Sequence, residues 1–177
     1  MKSFGGVGAF LILVLVASVV VLRMSGVRGR SGESYAGPPD AAESPRPTKA
    51  TISQSGHDVT PLSPKEVEKL AEKLSSQERD VLLRDCTEPA FTGALVKNKE
   101  TGAYVCRLCG LPLYTSDTKF ESGTGWPSFY KPIDPAHVRE ITDTSHGMVR
   151  TEIVCARCGG HLGHVFDDGP APTGQRY

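Results

Sequence analysis

Two Cys-x-x-Cys pairs, Cys106-Arg107-Leu108-Cys109 and Cys155-Ala156-Arg157-Cys158, constrain this chain more than any other feature. A two-residue spacer lets both sulfurs of a pair face one ion, and four thiolates are the usual ligand set of a closed tetrahedral zinc site. Each pair is followed by glycine, Gly110 and Gly159, which tolerates the tight turn after such a knuckle. The long insertion between the pairs costs little, because loop-closure entropy grows only logarithmically with length. Cys86 stands alone, and five cysteines cannot make a complete intramolecular disulfide framework. Two redox or disulfide pairs are the competing reading, which an oxidising compartment would permit. A closed four-cysteine site staples a fold and by itself implies no catalysis.

The organisation around the knuckles is uneven. Lys2 precedes an apolar run from Val7 to Leu22, interrupted by Gly8 and Ser18. The run is short for a membrane span of about 17–25 residues and near the upper length of a signal-peptide core. Residues 1–23 therefore read as a signal peptide or an uncleaved signal anchor, with a buried helix as the alternative. No Ala-x-Ala cleavage site follows. Arg23, Arg28 and Arg30 outweigh Lys2, so a retained anchor favours a cytoplasmic C-terminal side, whereas a secreted or lumenal domain needs the opposite. The expectation is a membrane-anchored or secretory or organelle-targeted protein, its compartment open. Residues 24–60, rich in Gly, Ser, Pro and Ala without apolar periodicity, read as a disordered linker. With 20 basic against 20 acidic residues the chain offers no broad cationic surface, and nucleic acid is set aside.

The folded domain is expected over residues 61–177. Ser63-Pro64-Lys65-Glu66 has the pattern of a capping box with proline at the first helical position. Ser75 and Glu78 repeat the box, which predicts two short helices joined by a tight turn. Beyond Asp85, short β-leaning runs such as Ala103–Cys106 and Met148–Cys155 alternate with Gly, Pro and Asp turns. A mainly β, antiparallel domain follows.

Two further segments suggest chemistry. Trp126, the single tryptophan, sits in the glycine-rich loop Glu121-Ser122-Gly123-Thr124-Gly125-Trp126-Pro127. Such a residue is either core or an aromatic wall for an apolar group. After the second knuckle come His161, His164, Asp167 and Asp168, which suit proton transfer near neutral pH, a metal, or simple backbone hydrogen bonding. Four cysteines already satisfy zinc, so a second metal is not expected.

Taken in order, TEPAFTG, CRLCGLPLY, SGTGWPSFY, SHGM, CARCGGHLGHVFDDGP and the final PTGQRY strongly resemble the methionine-R-sulfoxide reductase family from Thr87 to Tyr177. The resemblance implies two coiled antiparallel sheets, with a structural zinc on Cys106, Cys109, Cys155 and Cys158. It makes Trp126 and Phe166 substrate-binding residues, with Trp126 packing on the sulfoxide methyl. His161 and His164 become the active-site histidines, Asp168 an acidic partner and Arg176 a neighbour of the nucleophile. The implied enzyme is an oxidoreductase that reduces methionine-R-sulfoxide, free or in proteins, as a monomer restored by thioredoxin or a similar thiol. The family's catalytic cysteine or selenocysteine follows the Arg-Tyr pair, so it is expected directly after Tyr177. The domain is therefore expected to be incomplete and 1–177 inactive. A selenocysteine codon read as a stop, or a fragment, would explain the endpoint, although His161 and Val165 look like the cysteine-type members. Thr124 stands where many members carry a resolving cysteine, which leaves Cys86 as the candidate. A non-catalytic zinc module of the same fold is the alternative function.

Overall fold

The computed structural model describes residues 50–177. The apolar run of residues 1–23 and linker residues 24–49 lie outside the described residues.

Both capping boxes form. Helix α1 (Pro64–Ala71) starts where the Glu66 carboxylate accepts from the Ser63 amide at 2.8 Å, and α2 (Ser76–Arg84) where Glu78 does the same for Ser75 at 2.8 Å. Asp85 ends α2 in the left-handed conformation, φ 54°, and turns the chain toward Cys86. Isolated helices shorter than about 12–15 residues are marginal in water, so these two depend on docking. Ala71, Leu74 and Leu82 are buried in one cluster with Cys106, Leu108 and Cys158. The amide of Leu62 adds a 2.7 Å bond to the Arg157 carbonyl inside the second knuckle.

Residues ahead of the expected boundary at residue 61 are already ordered, which corrects the end of the linker. Residues 50–60 form a bridged turn in which Ile52 pairs with Asp58 and Val59 is buried. The hydroxyls of Ser53 and Ser55 lie 2.8 and 3.0 Å from Nε2 of fully buried His137. The Ser55 amide donates to Asp134 at 2.9 Å. Composition could not show this, because the partners of these polar groups sit far along the chain.

The remaining elements are antiparallel, as expected. Strand β1 (Ala103–Val105) pairs with β2 (Pro112–Thr115), and β3 (Lys119–Phe120) with β4 (Ser128–Phe129). Strands β5 (Val138–Asp143), β6 (Arg150–Cys155) and β7 (His161–Val165) form a sheet in the order β5-β6-β7. Among the described residues the ladders thus fall into three sets, and Leu108, Leu113, Tyr114 and Phe129 fill the space between them. Tyr114 stacks on Phe129 at 4.4 Å between ring centroids.

The two knuckles repeat one backbone pattern. Gly110 N donates to Cys106 O at 2.8 Å and Cys106 N to Leu111 O at 2.8 Å; Gly159 N donates to Cys155 O at 2.8 Å and Cys155 N to Gly160 O at 2.9 Å. Gly110 and Gly159 have φ of 75° and 72°, which a side chain would strain.

The C-terminal segment folds back on this frame. Phe166 and Arg176 exchange main-chain bonds of 3.0 and 2.8 Å, and Tyr177 and Phe129 exchange bonds of 3.0 and 2.8 Å. Gly169 makes the return turn fit: a Cβ there would lie 1.9 Å from the Gln175 carbonyl oxygen and 2.1 Å from its carbon. Backbone cannot rotate away as a side chain can. Gly169→Ala is expected to cost about 3 kcal/mol, the upper end of overpacking effects. A lowered urea midpoint at unchanged slope would register the loss. Gly102→Ala, where a Cβ meets nothing within 4 Å, is the control.

Candidate active site and metal centre

The four knuckle cysteines converge. Cys106 and Cys158 sulfurs are 3.5 Å apart, Cys109 and Cys155 sulfurs 3.6 Å, and all four lie within 4.8 Å of one another. Tetrahedral zinc with Zn–S bonds of about 2.3 Å needs sulfur separations of about 3.8 Å. Hydrogen bonds from Cys109, then Cys155 and Cys158, push the Cys106 thiol far down. Hydrogen bonding within the cluster, first with Cys106, and burial push Cys155 and Cys158 up. Four thiolates cannot coexist there without a cation, so the donor set fits a divalent soft metal.

A separate cavity of about 510 Å³ gathers most of the remaining sequence candidates: Cys86, Trp126, His161, His164, Phe166 and Arg176 all line it. Trp126 is not core. It is 41% exposed, and its indole N–H donates to the Glu88 carbonyl at 3.0 Å. The amide of Phe91 donates to Gly125 O at 2.8 Å, which ties the TEPAFTG loop to the tryptophan loop. Gly125, at φ 94°, permits this approach: a Cβ there would sit 2.8 Å from both Ala90 Cβ and Phe91 N.

The histidines reach one face only through an irregularity. Residues three apart on a regular strand point to opposite faces. Here β7 pairs Ile153 with Gly163 and Val154 with His161, so Leu162 is bulged out. A bulge resets the alternation, and the two imidazoles meet edge to face at 5.7 Å between centroids. Each is held by a carboxylate. Glu152 Oε1 is 2.6 Å from His161 Nδ1, and Asp143 Oδ2 is 2.7 Å from His164 Nε2. Asp143 also accepts from Arg150 at 2.6 Å. Hydrogen bonds from Ser145, then His164 and Arg150, hold the Asp143 carboxyl well below the usual carboxylate range. The Asp85 carboxylate approaches the Glu152–His161 pair, with ligand atoms within 4.8 Å.

Asp168 does not line the cavity. It clamps Arg176 with two bonds, 2.8 Å from Nε and 2.9 Å from Nη2, and that guanidinium holds the Asp168 carboxyl below its ordinary range. Arg176 also lies over the Phe166 ring at 4.3 Å. The guanidinium is therefore fixed from two sides. Cys86 follows the left-handed Asp85 and is exposed, and Thr124 lines the same cavity.

Sequence reasoning missed Glu152, Asp143 and Arg150. Their signal lay in cross-strand register: Glu152 lies opposite His164, and Asp143 opposite Arg150.

Comparison with known proteins adds the following. The SelR domain matches residues 74–177. A Xylella fastidiosa protein named peptide methionine sulfoxide reductase MsrB is 56% identical over 120 residues, covering 68% of this chain and 77% of its own. A Caulobacter vibrioides protein of the same name is 56% identical over 128 residues, covering 72% and 80%. One from Leptospira interrogans is 58% identical over 105 residues, covering 59% and 80%.

Proposed function

Because the chain belongs to the SelR-domain family of methionine-R-sulfoxide reductases, we propose that the Trp126–His161–His164 cavity is where an oxidised methionine is reduced. The chain is an oxidoreductase, and its substrate on this reading is the R epimer of methionine sulfoxide, free or within a protein. The observation that carries the reading is the single cavity that unites an accessible indole, two carboxylate-held imidazoles and a clamped guanidinium. A plain zinc module needs none of these.

The roles follow from the chemistry. A thiolate or selenolate attacks the sulfoxide sulfur, and oxygen passes to the attacking atom, which becomes a sulfenic or selenenic acid while methionine leaves as the thioether. The nucleophile is oxidised by two electrons and the methionine sulfur reduced by two. The oxygen takes a proton on the way, and His161 is placed to give it. His161 Nδ1 is engaged by Glu152, which leaves Nε2 for the cavity. Trp126 and Phe166 offer apolar faces for the substrate methyl and its side chain. We place the nucleophile at the residue following Tyr177, because Tyr177 lines the cavity and its main chain is fixed to Phe129, next to Arg176. A cation beside a thiol favours the reactive thiolate. Cys86 is the resolving thiol on this reading: its attack on the sulfenic sulfur releases water and leaves a disulfide for a thioredoxin-class dithiol. Zinc on Cys106, Cys109, Cys155 and Cys158 would supply no chemistry at the sulfoxide and would only tie the two knuckles together.

The stereochemistry tests the reading. A chain carrying the nucleophile should consume methionine-R-sulfoxide with dithiothreitol and leave the S epimer untouched; consumption of the S epimer instead overturns the assignment. Glu152 supplies a second check. Hydrogen bonds to charged groups contribute about 1.5–3 kcal/mol, so Glu152→Gln should lower kcat about tenfold or more at unchanged KM, with partial recovery in Glu152→Asp. An unchanged kcat would remove the carboxylate from the mechanism.

The apolar run of residues 1–23 suits a targeting segment or membrane anchor for a monomeric domain. Among the described residues no helix is long and apolar enough to cross a membrane.

A further inference from the structure

A second cavity, of about 620 Å³, adjoins the first. Leu95 and Tyr104 line both, so the sulfoxide cavity and the neighbouring groove share a wall. The floor of the groove is β1, which among the described residues pairs with β2 on one side only. Gly102 O accepts from Ser116 N at 2.9 Å and Cys106 N donates to Leu111 O at 2.8 Å, so residues 102, 104 and 106 spend their main-chain groups on β2. In an antiparallel pair the alternate residues turn theirs outward, which leaves Ala103 and Val105 presenting amides and carbonyls along the groove. Two large apolar side chains stand beside this edge in water: Val105 is 53% exposed and Leu95 51%. Tyr104 anchors the wall between the cavities, since its ring packs edge to face on Phe129 at 4.8 Å and its hydroxyl donates to Asn98 O at 3.4 Å.

We propose that this groove binds the polypeptide flank of the oxidised methionine, an extended segment of the protein substrate that adds as a strand to the free edge of β1 while its sulfoxide side chain enters the adjoining cavity. The inference rests on the reading of that cavity as the sulfoxide site. Two features favour an extended peptide over a second copy of this chain or a compact ligand. A free strand edge offers main-chain recognition without sequence demands, which suits an enzyme whose targets share only one residue. The groove also adjoins the place where that residue must sit. Leu95 and Val105 then favour an apolar side chain near the sulfoxide.

Trp126, the single tryptophan, reports occupancy of the sulfoxide cavity by its fluorescence. Zinc-loaded 1–177 is titrated with N-acetyl-methionine-R-sulfoxide methylamide, and with an uncharged nine-residue peptide bearing the same sulfoxide at its centre. A few added main-chain bonds should make the peptide bind about tenfold tighter or more. Val105→Pro deletes an outward amide without touching the β2 ladder, and Val105→Ser removes an exposed apolar contact while keeping that amide; Val105 lines the groove and not the sulfoxide cavity. Each should erase most of the peptide's advantage and leave the blocked amino acid's affinity unchanged. Equal affinities for the two ligands in the unaltered chain overturn the groove, as does a loss in the Val105→Ser chain that is the same for both. If calorimetry detects neither ligand, the sulfoxide reading of the cavity fails, and the groove proposal with it.

Discussion

Stripping the metal from the four-cysteine cluster should unfold the ordered domain as one unit, with loss of far-ultraviolet signal and a red shift of Trp126 emission. The elements around the cluster explain why so little would survive. Helices α1 and α2 have 8 and 9 residues, too short to persist alone. Two of the three strand sets are two-stranded, and an isolated pair of strands is marginal in water. What joins them is the knuckle pair, since Cys106 closes β1, Cys155 closes β6, and Leu74 and Leu82 pack beside both. Structural zinc is worth about 10–16 kcal/mol in small folds, against a typical domain stability of about 5–15 kcal/mol. Removing it therefore takes away an amount comparable to the whole margin. Cys158→Ser should behave like the stripped protein, whereas Cys86→Ser, outside the cluster, should keep the native melting temperature. Metal analysis should return about one zinc per folded chain. A chelated chain that still melts cooperatively at the original temperature would show that the cluster is incidental to folding.

How far the sequence disclosed this arrangement depended on the range of each interaction. The partners of each capping box lie three residues apart in the chain, so Ser63–Glu66 and Ser75–Glu78 could be recognised directly and both form. The cysteine knuckles were equally local, and the gathering of all four sulfurs follows from ligand chemistry. The His161–His164 pair was visible as residues but not as geometry. Alternation along a strand would have separated them, and only the bulge at Leu162 puts both rings on one face. Glu152 and Asp143 escaped notice because a carboxylate in a strand reads as a solvated face until its cross-strand neighbour is known. Asp168 was picked out for the right stretch of chain, yet its contact is with Arg176 and not with the cavity. Ser53 and Ser55 show the opposite failure: polar, proline-flanked sequence reads as linker, yet a buried imidazole far downstream orders it.

Placing a cysteine directly after Tyr177, followed by the strand that continues from it, should switch on reduction of methionine-R-sulfoxide, while zinc-loaded 1–177 should give none above background. The expected contrast is large, because an enzyme deprived of its nucleophile loses on the order of 10³-fold or more in rate. Cys86 makes the comparison sharp. Among the described residues it is the one cysteine outside the metal cluster, it is exposed, and it lines the same cavity. It sits beyond α2, however, and its sulfur lies near the Arg84 carbonyl at 3.7 Å, an acceptor that does nothing to stabilise a thiolate. The position after Tyr177 instead lies two residues along the chain from Arg176, whose guanidinium is locked by Asp168 and Phe166, and directly follows a backbone doubly bonded to Phe129. Electrostatics and rigidity both favour that position for the attack and leave Cys86 the later step. In the extended chain Cys86→Ser should therefore preserve turnover with dithiothreitol, which reaches the sulfenic acid directly, and lower it about tenfold or more with a thioredoxin-class protein that needs a disulfide to attack. Turnover by 1–177 that disappears in Cys86→Ser would reverse these roles and make Cys86 itself the nucleophile.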